Sequence, residues 1–209
     1  MSRAFVIAGT DTNVGKTVFA AALADALGAH YWKPVQAGLA PETDSQTVAR
    51  LGGLAPAQIL PEAWRLPLPA SPHIAARSAG VEIDVAGLQP PQGVADLIIE
   101  TAGGVMVPLT EQFLTIDLLA RWRLPVIVVS RTTLGAINHS LLTLDALRRR
   151  DIPVHGLACV GDEDAAAQQT IASMGGVRFL GRLPRLDPLN RETLRAAFAA
   201  NFSSQDFMS

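Results

Sequence analysis

The sequence lacks the marks of several protein classes. It has a single cysteine, Cys159, so no internal disulfide can form, and the apolar residues around it favour a buried thiol in a strand. Its four histidines, His30, His73, His139 and His155, show no paired spacing of the kind that binds metal, so a zinc site is not expected. No apolar run approaches the roughly 18 residues of a membrane span. Since no signal-peptide pattern precedes the first strand, we expect a cytoplasmic protein that does not contact a membrane.

An excess of charge is also missing. The 17 lysine and arginine residues nearly balance the 19 aspartate and glutamate residues, and the formal net charge is -2 at pH 7. Nucleic acid is therefore not expected as a partner, because binding to a phosphate backbone is driven by clustered positive charge. The one basic run, residues 148–150, ends a predicted helix, where cations complement the helix dipole. We interpret that run as a solvated helix end.

What the sequence does have is a candidate phosphate loop at residues 9–17, which read Gly-Thr-Asp-Thr-Asn-Val-Gly-Lys-Thr. The apolar run 4–8 precedes the loop, and an Ala- and Leu-rich stretch that suits a helix, residues 18–27, follows it. At such a helix start, unpaired backbone N–H groups and the positive end of the dipole face an anion. Strand, loop and helix in this order predict a phosphate-binding site.

Two side chains of this loop carry the predicted chemistry. Lys16 would lie on the β- and γ-phosphates, and the Thr17 hydroxyl would bind Mg²⁺. The loop is a variant of the strict pattern, because Thr10 occupies the position of the first glycine and Gly9 comes one residue earlier. The alternative is a glycine turn followed by a surface lysine.

Apolar strands alternate with helical stretches along the rest of the chain. Runs that suit strands lie at residues 30–35, 96–100, 125–130, 154–160 and 177–181. With no internal repeat or linker, the pattern predicts an α/β protein with a single-domain parallel sheet flanked by helices on both faces, like that of P-loop NTPases. The domain is expected over residues 1–200, and the polar residues 201–209 are expected to form a frayed tail.

A proline-rich segment interrupts this alternation. Residues 54–72 contain five of the chain's fourteen prolines, so regular structure is not expected there. Such a segment on a small α/β domain suits either a substrate lid or a dimer surface, and both interpretations stay open.

Two carboxylates are placed for a ligand site. Glu100 ends the apolar run 96–100, and ligands of parallel sheets gather at the carboxyl ends of strands. A charge that marks the exposed end of a strand is the alternative. Asp44 begins a helical stretch that closes at Gly52 and Gly53, where its expected place is the N-cap. It is therefore either a helix cap or a site residue.

Four stretches together resemble the dethiobiotin synthetase family: residues 9–17, 31–35, 100–104 and 134–139. The last stretch, Leu-Gly-Ala-Ile-Asn-His, is the most specific, because no generic P-loop fold requires it. The resemblance implies an ATP-dependent cyclo-ligase of biotin biosynthesis. Such an enzyme closes a ureido ring on 7,8-diaminononanoate with CO₂ or bicarbonate and MgATP, giving dethiobiotin, ADP and phosphate.

The resemblance also implies roles for individual residues. Lys16 and Lys33 are the implied catalytic residues, and Lys33 would stabilise the carbamate and the transferring phosphoryl group. Without the resemblance, Lys33 is better explained as a surface lysine on an edge strand. The implied Mg²⁺ ligands are Thr17, Asp44 and Glu100. The implied nucleotide-binding residues are Asn13, Val14, Gly15, Lys16, Thr17, Val18, Asp44, Glu100, Thr101, Ala102, Gly103, Pro184, Arg185 and Leu186.

The family's enzymes are homodimers that bind substrate at the subunit interface, where the carboxylate tail is held at the start of a helix of the partner. The implied substrate-binding residues are Ala37, Leu134, Gly135, Ala136, Ile137 and Asn138. Local capping at the helix start is the alternative for Asn138 and His139.

Three positions depart from the family pattern. Ala37 replaces a serine or threonine that contacts substrate, so that hydrogen bond is either lost or supplied by Gln36 or the backbone. Thr101 replaces a glycine of the loop after the strand. Val160 stands where an asparagine that recognises adenine is expected, and a site without that amide discriminates bases weakly. The resemblance implies ATP as the co-substrate, and the valine leaves other nucleoside triphosphates open.

Two other functions compete with this interpretation. Amidoligases that act on cofactor precursors usually carry a glutamine-hydrolysing domain, for which 209 residues without a nucleophilic cysteine motif leave no room. Partitioning-type ATPase switches bind protein partners and resemble this chain in fold. They typically have an extra lysine early in the phosphate loop, where this chain has Thr10 and Asp11. The motifs therefore favour the synthetase.

Overall fold

A computed structural model describes residues 3–208, and most of its strands join one parallel sheet. In chain order the strands are β1 (Arg3–Gly9), β2 (His30–Trp32), β3 (Val35–Ala37), β4 (Ile59–Leu60), β5 (Trp64–Leu66), β6 (Asp96–Gly104), β7 (Val126–Arg131), β8 (Val154–Val160) and β9 (Phe179–Leu183). The seven-stranded sheet has the order β4-β2-β6-β1-β7-β8-β9, and β3 pairs with β5 in a separate two-stranded sheet. This architecture confirms the predicted fold class.

Helices cover both faces of the seven-stranded sheet. They are α1 (Lys16–Leu27), α2 (Asp44–Gly52), α3 (Pro72–Ser78), α4 (Thr115–Trp122), α5 (Ala136–Arg148), α6 (Ala165–Met174) and α7 (Arg191–Asn201), with 3-10 turns at Pro56–Gln58 and Ser204–Phe207. Helices α1, α2 and α7 pack on one face, and α4, α5 and α6 pack on the other. Within residues 3–208, no helix has the length and apolar character needed to cross a membrane.

The central strands explain this two-sided core. In β1, Phe5 and Ile7 belong to the cluster that contains Phe19 of α1, whereas Val6 and Ala8 belong to the cluster on the opposite face. Successive side chains of a strand point to opposite faces, so a strand buried on both sides must be apolar at every position. The near-continuous apolar runs of the sequence follow from this requirement.

Pro34 divides the strand predicted over residues 30–35. Strand β2 ends at Trp32 in the main sheet, and β3 begins at Val35 in the small sheet. Proline has no N–H for a ladder, but its carbonyl accepts a hydrogen bond from Trp64 N at 3.0 Å. The prediction of one strand was therefore wrong, but Pro34, which was expected to mark a strand end or an edge, does lie between the two strands.

The proline-rich segment 54–72 also contains regular structure, contrary to expectation. Its strand β4 forms one edge of the main sheet beside β2, and its strand β5 pairs with β3. These strands are only two and three residues long. Tertiary pairing with distant strands fixes them, and such pairing leaves little trace in the local sequence.

The polar C-terminal residues are packed on the domain. Phe207 is completely buried, with its ring centroid 6.2 Å from that of Phe5 and 6.0 Å from that of Phe198. Arg3 Nη1 donates a hydrogen bond to the carbonyl of Phe207 at 3.2 Å. The expected fraying is not observed through residue 208, because two aromatic side chains, Phe202 and Phe207, anchor an otherwise polar segment.

Replacing Phe207 with alanine is expected to lower the free energy of unfolding by about 3–5 kcal/mol, because the change removes a large side chain from a packed core. Met208 is 60% exposed and provides a matched control. The Met208→Ala variant should stay within about 0.5 kcal/mol of the parent protein. Denaturant unfolding measures both values, and a loss of less than about 1 kcal/mol for Phe207→Ala would mean that the tail contributes little to stability.

Candidate functional site

The predicted phosphate loop lies at the carboxyl end of β1 and borders a cleft of about 780 Å³. Asn13 and Gly15 have left-handed backbone conformations, with φ of 57° and 96°, which turn the chain into α1. Gly15 is the N-cap residue, and no side chain among residues 3–208 caps this helix. The first N–H groups of α1 are thus left for an anion, as the sequence predicted.

Gly9 has a specific role next to this loop. Lys16 folds back over Gly9, so that an added Cβ at position 9 would lie 2.9 Å from Lys16 Nζ. The same Nζ donates a hydrogen bond to the carbonyl of Asp11 at 3.0 Å. Burial, and then the charge of nearby Lys33, lowers the pKa of Lys16 to about 8. Because its hydrogen-bond partner is a neutral carbonyl, the ammonium charge is available to an anionic ligand.

Lys33 lies among oxygen atoms of the same cleft. Its Nζ is 2.6 Å from Asp44 Oδ2 and 3.0 Å from Glu100 Oε1. Thr17 Oγ1 is 3.1 Å from Asp44 Oδ1 and 2.9 Å from Glu100 Oε1, and its single proton can be donated to one of them at a time. The structure therefore brings the three predicted metal ligands together around the predicted catalytic lysine.

The sheet and a helix cap place these side chains. Trp32 of β2 pairs with Ile99 of β6, so Lys33 and Glu100 follow next on adjacent strands. Thr43 caps α2 through a capping box, with its Oγ1 accepting from Gln46 N at 3.3 Å. The prediction of Asp44 as the N-cap was wrong by one residue. Since Thr43 satisfies the helix end, the carboxylate of Asp44 is free to bind Lys33.

Opposing charges stabilise the ionised forms in this cluster. Burial alone would lower the pKa of Lys33, but the carboxylates of Glu100 and Asp44 outweigh burial and raise it. For Asp44, burial works against the charged form, yet the Lys33 ammonium brings the pKa below its ordinary value. Both groups are therefore charged at neutral pH, and the Lys33 ammonium offsets the charge of the Asp44 carboxylate.

Lys16 and Lys33 are the only two lysines of the whole chain. The other fifteen basic residues counted with them are arginines. A lysine ammonium is a compact point charge on a flexible stem, whereas the guanidinium is a planar fork. The chain thus places its only compact cations at the cleft, where both are buried.

Most of the predicted site residues line the cleft. Those that do are Asn13, Gly15, Lys16, Thr17, Val18, Lys33, Ala37, Asp44, Glu100, Ala102 and Gly103. Val14 instead packs in the core and is 2% exposed, so only its backbone can serve a ligand. The Thr101 side chain donates to the carbonyl of Ile7 at 3.3 Å, and its own carbonyl accepts from Lys33 at 3.3 Å. Thr101 is thus a structural part of the sheet end.

Residues 184–186 do not line this cleft. They follow β9, where Arg185 Nε is 3.2 Å from Asp162 Oδ2 in an exposed ion pair and Leu186 packs on the core. Val160 is nearer to the phosphate loop, since a Cβ added to Gly15 would lie 2.7 Å from Val160 Cγ1. Val160 therefore packs directly on the glycine that precedes Lys16.

The start of α5 presents the remaining predicted residues away from the cleft. Leu134 is fully exposed, and Gly135, with φ of 94°, is the N-cap of α5. In the part of the chain that the structure describes, no side chain caps this helix. Leu142 and Met106 are 60% and 51% exposed and line a further cavity of about 390 Å³ beside Asp11. Within one copy of the chain, residues 134–138 are thus not part of the cleft that contains Lys33.

The structure adds one residue that the sequence interpretation missed. The Tyr31 hydroxyl donates to Glu100 Oε2 at 2.8 Å. This contact depends on the pairing of β2 with β6, which the local sequence does not show.

Gln36, which the sequence offers as a replacement for the hydroxyl absent at Ala37, lines the cleft. Its side-chain oxygen accepts from Asp44 N at 3.1 Å, and its side-chain nitrogen donates to the carbonyl of Gly38 at 3.0 Å.

Comparisons with known proteins find relatives along nearly the whole chain. The family model described as an AAA domain matches residues 3–193. The ATP-dependent dethiobiotin synthetase of Agrobacterium fabrum is 58% identical over 208 residues, covering 100% of this chain and 98% of the relative. The protein of the same name from Rhizorhabdus wittichii is 59% identical over 207 residues, covering 99% of each chain.

Solved structures show the same fold at much lower identity. A ParA family ATPase from Chlorobium tepidum superposes with a TM-score of 0.52 at 12% identity, covering 96% of this chain and 93% of the other. The MinC:MinD cell division protein complex of Aquifex aeolicus gives a TM-score of 0.52 at 12% identity, covering 94% and 86%. Likeness at this level shows a shared fold. It gives no information about partners.

Proposed function

The chain belongs to the family of ATP-dependent dethiobiotin synthetases, and from that premise we propose that it makes dethiobiotin in biotin biosynthesis. The reaction is a C–N bond-forming ligation: 7,8-diaminononanoate, CO₂ or bicarbonate, and ATP give dethiobiotin, ADP and phosphate. The observation that supports the assignment in this chain is the convergence of Lys33 with Thr17, Asp44 and Glu100 beside the phosphate loop.

The phosphates of ATP would bind at the start of α1. Backbone N–H groups of residues 13–18 and the positive helix end provide the donors. Lys16 would leave the carbonyl of Asp11 for the β- and γ-phosphates, which offer a stronger, charged partner. Positioning of the triphosphate is the main contribution of this loop.

The residues present fit Mg²⁺. Two carboxylates and a hydroxyl, from Asp44, Glu100 and Thr17, are hard oxygen donors that converge in one place. Mg²⁺ is usually held by one or two carboxylates together with substrate phosphates, so a larger protein cage is not required. When bound, Mg²⁺ supplies positive charge to the phosphate oxygens.

The reaction needs three steps from the substrate. One amine captures CO₂ as a carbamate and releases a proton. A carbamate oxygen then attacks the γ-phosphorus, the bond to the bridging oxygen breaks, and ADP leaves. The second amine attacks the carbonyl carbon and loses a proton, phosphate leaves, and the ureido ring closes.

Lys33 would stabilise the negative charge of the second step. Its ammonium shares Glu100 Oε1 with the Thr17 hydroxyl, and Lys33 lines the same cleft as Thr17 and Ala37. A buried, preorganised cation stabilises developing charge more strongly than water does. Neutralising the carbamate and the γ-phosphoryl group lets two anionic reactants approach.

The substrate tail would bind across a homodimer. The uncapped start of α5 offers free N–H groups and the Asn138 amide, which suit a carboxylate. Because residues 134–138 lie outside the cleft of their own chain, they would serve the cleft of a second copy. The exposed apolar side chains of Leu134, Leu142 and Met106 supply a surface that such a copy would cover.

Replacing Leu142 with arginine is expected to convert the dimer to a monomer and to reduce dethiobiotin formation at least about 10-fold, because it places a charge in an apolar interface. Analytical ultracentrifugation measures the assembly, and ATP binding should be unchanged. Met174 is 72% exposed on α6 and supplies the control, since Met174→Arg should remain dimeric and active. A dimeric Leu142→Arg variant would place the interface elsewhere.

Product formation with each component omitted in turn tests the function. Phosphate release and dethiobiotin should require Mg²⁺, the diamine and bicarbonate together. Comparison of ATP, GTP and CTP measures the selectivity that remains with Val160 at the edge of the loop. Phosphate release that is indifferent to the diamine would instead support an ATPase switch.

A further inference from the structure

Tyr31 is the only tyrosine of the chain, and it lies beneath the site. Its side chain is completely buried, and its hydroxyl donates a hydrogen bond to Glu100 Oε2 at 2.8 Å. A phenol is a hydrogen-bond donor at neutral pH, and a carboxylate oxygen accepts.

Glu100 divides its two oxygens between different partners. Oε1 faces the cleft and lies 2.9 Å from Thr17 Oγ1 and 3.0 Å from Lys33 Nζ. Oε2 faces the protein, and among residues 3–208 Tyr31 is its hydrogen-bond donor. Because Glu100 is 1% exposed, solvent cannot replace that donor without opening the core.

This division fixes the orientation of the carboxylate. A carboxylate with one oxygen anchored cannot rotate to present the other oxygen, so Oε1 stays directed at the cation position. The anchor comes from β2, whose Tyr31 pairs with Ile98 of β6, and Lys33 follows directly after the end of β2. One short segment thus contacts both oxygens of Glu100, through the Tyr31 hydroxyl at Oε2 and the Lys33 ammonium at Oε1.

We propose that Tyr31 is a positioning residue that holds Glu100 for the divalent cation of the reaction. The inference rests on the proposed function, because it takes Glu100 as a ligand of the metal that accompanies the nucleotide. Tyr31 touches neither substrate nor metal. It acts through Glu100, by keeping one carboxylate oxygen bound and the other free.

Replacing Tyr31 with phenylalanine tests this role, with Mn²⁺ as the probe. Electron paramagnetic resonance of free Mn²⁺ measures binding to the protein saturated with β,γ-methylene-ATP. Affinity should fall about 10–100-fold, the usual effect of losing the partner that orients a metal ligand. Affinity for the nucleotide in EDTA should not change, because Lys16 and the loop are untouched.

A matched variant separates positioning from stability. Ser140→Ala also removes one buried hydroxyl, whose oxygen lies 2.9 Å from Ser130 Oγ outside the cleft. Both variants should lose some stability, but only Tyr31→Phe should lose Mn²⁺ affinity. Mn²⁺ affinity within about threefold of the parent protein in Tyr31→Phe would overturn the proposal.

A second measurement avoids mutation and keeps the proposal testable if Tyr31→Phe does not fold. Because there is one tyrosine, uniform replacement by 3-fluorotyrosine gives a single ¹⁹F signal from this site. Titration of Mg²⁺ into the nucleotide complex should shift that signal in proportion to metal occupancy. A signal that does not move would show that Tyr31 does not sense the metal site.

Glu100→Gln distinguishes failure of this inference from failure of the proposed function. If Glu100→Gln retains Mn²⁺ affinity, Glu100 is not a ligand and the assignment of the metal site is wrong. If Glu100→Gln loses affinity and Tyr31→Phe retains it, the metal site stands and the role of Tyr31 is overturned. Neither readout depends on dethiobiotin being formed.

Discussion

Lys33→Ala is expected to lower the rate of dethiobiotin formation by about 10²–10³-fold while ATP is still bound, since loss of one preorganised group that stabilises transition-state charge has this effect. The ammonium is almost completely buried between Asp44 and Glu100. Removing it deprives the carbamate and the phosphoryl group of a cation in a region where charges interact strongly. The phosphate loop remains intact in the variant.

Single-turnover kinetics and equilibrium titration with ATP measure the two quantities separately. Arg77→Ala is a suitable control, because it removes a cation from an exposed ion pair with Glu111 and should not change turnover. A Lys33→Ala variant with near-normal turnover would contradict the transition-state role. The lysine would then serve only to neutralise carboxylates, and the variant should bind Mg²⁺ more tightly than the parent protein.

Local sequence predicted those parts of the site that depend on local geometry. The phosphate loop, Thr17 and the helix that follows are determined by one short segment with a known backbone shape. Glu100 was predicted at the carboxyl end of a buried parallel strand, the usual edge for ligands. Strand β6 in fact continues to Gly104, and Glu100 makes the last regular pair with β1 before the register shifts. These expectations needed no knowledge of which strands are neighbours.

Features that depend on tertiary contacts were not predictable in the same way. Asp44 was expected to cap α2, but Thr43 and Gln46 form the capping box. The Asp44 carboxylate therefore lies in the site and not at the helix cap. The contact of Tyr31 with Glu100 joins residues 69 positions apart, and it exists only because β2 lies next to β6. The pairing of β3 with β5 inside a proline-rich segment has the same long-range origin.

The homodimer and its substrate site remain predictions, and features of the single chain support them. Residues 134–138 are identified by family resemblance, and exposure of Leu134 and Leu142 is the physical reason to expect a partner there. Residues 184–186 also remain a prediction, as nucleotide-binding residues implied by the family resemblance. These residues follow β9, and Arg185 pairs with Asp162. They can contact the base only if the bound nucleotide extends from Gly15 past Val160.

Lys16→Ala should have the opposite signature to Lys33→Ala, namely loss of ATP binding itself. The dissociation constant is expected to rise at least about 30-fold, because truncating one partner of a buried charge pair costs about 2–5 kcal/mol. Gly9→Ala should reproduce part of this loss, since its Cβ would lie 2.7 Å from the carbonyl oxygen of Asp11 and 2.9 Å from both Cδ and Nζ of Lys16, so the loop and the lysine side chain must shift.

Titration with a fluorescent ATP analogue measures the effect, and Arg131→Ala is the matched control. Arg131 also carries a positive charge next to the loop, but its ion pair with Asp11 is partly exposed and should contribute no more than about 1 kcal/mol. If Lys16→Ala bound ATP normally and lost only turnover, Lys16 would act in the transition state alone. Lys16 and Lys33 would then both act by stabilising the transition state. The assignment of ATP binding to Lys16 would be wrong.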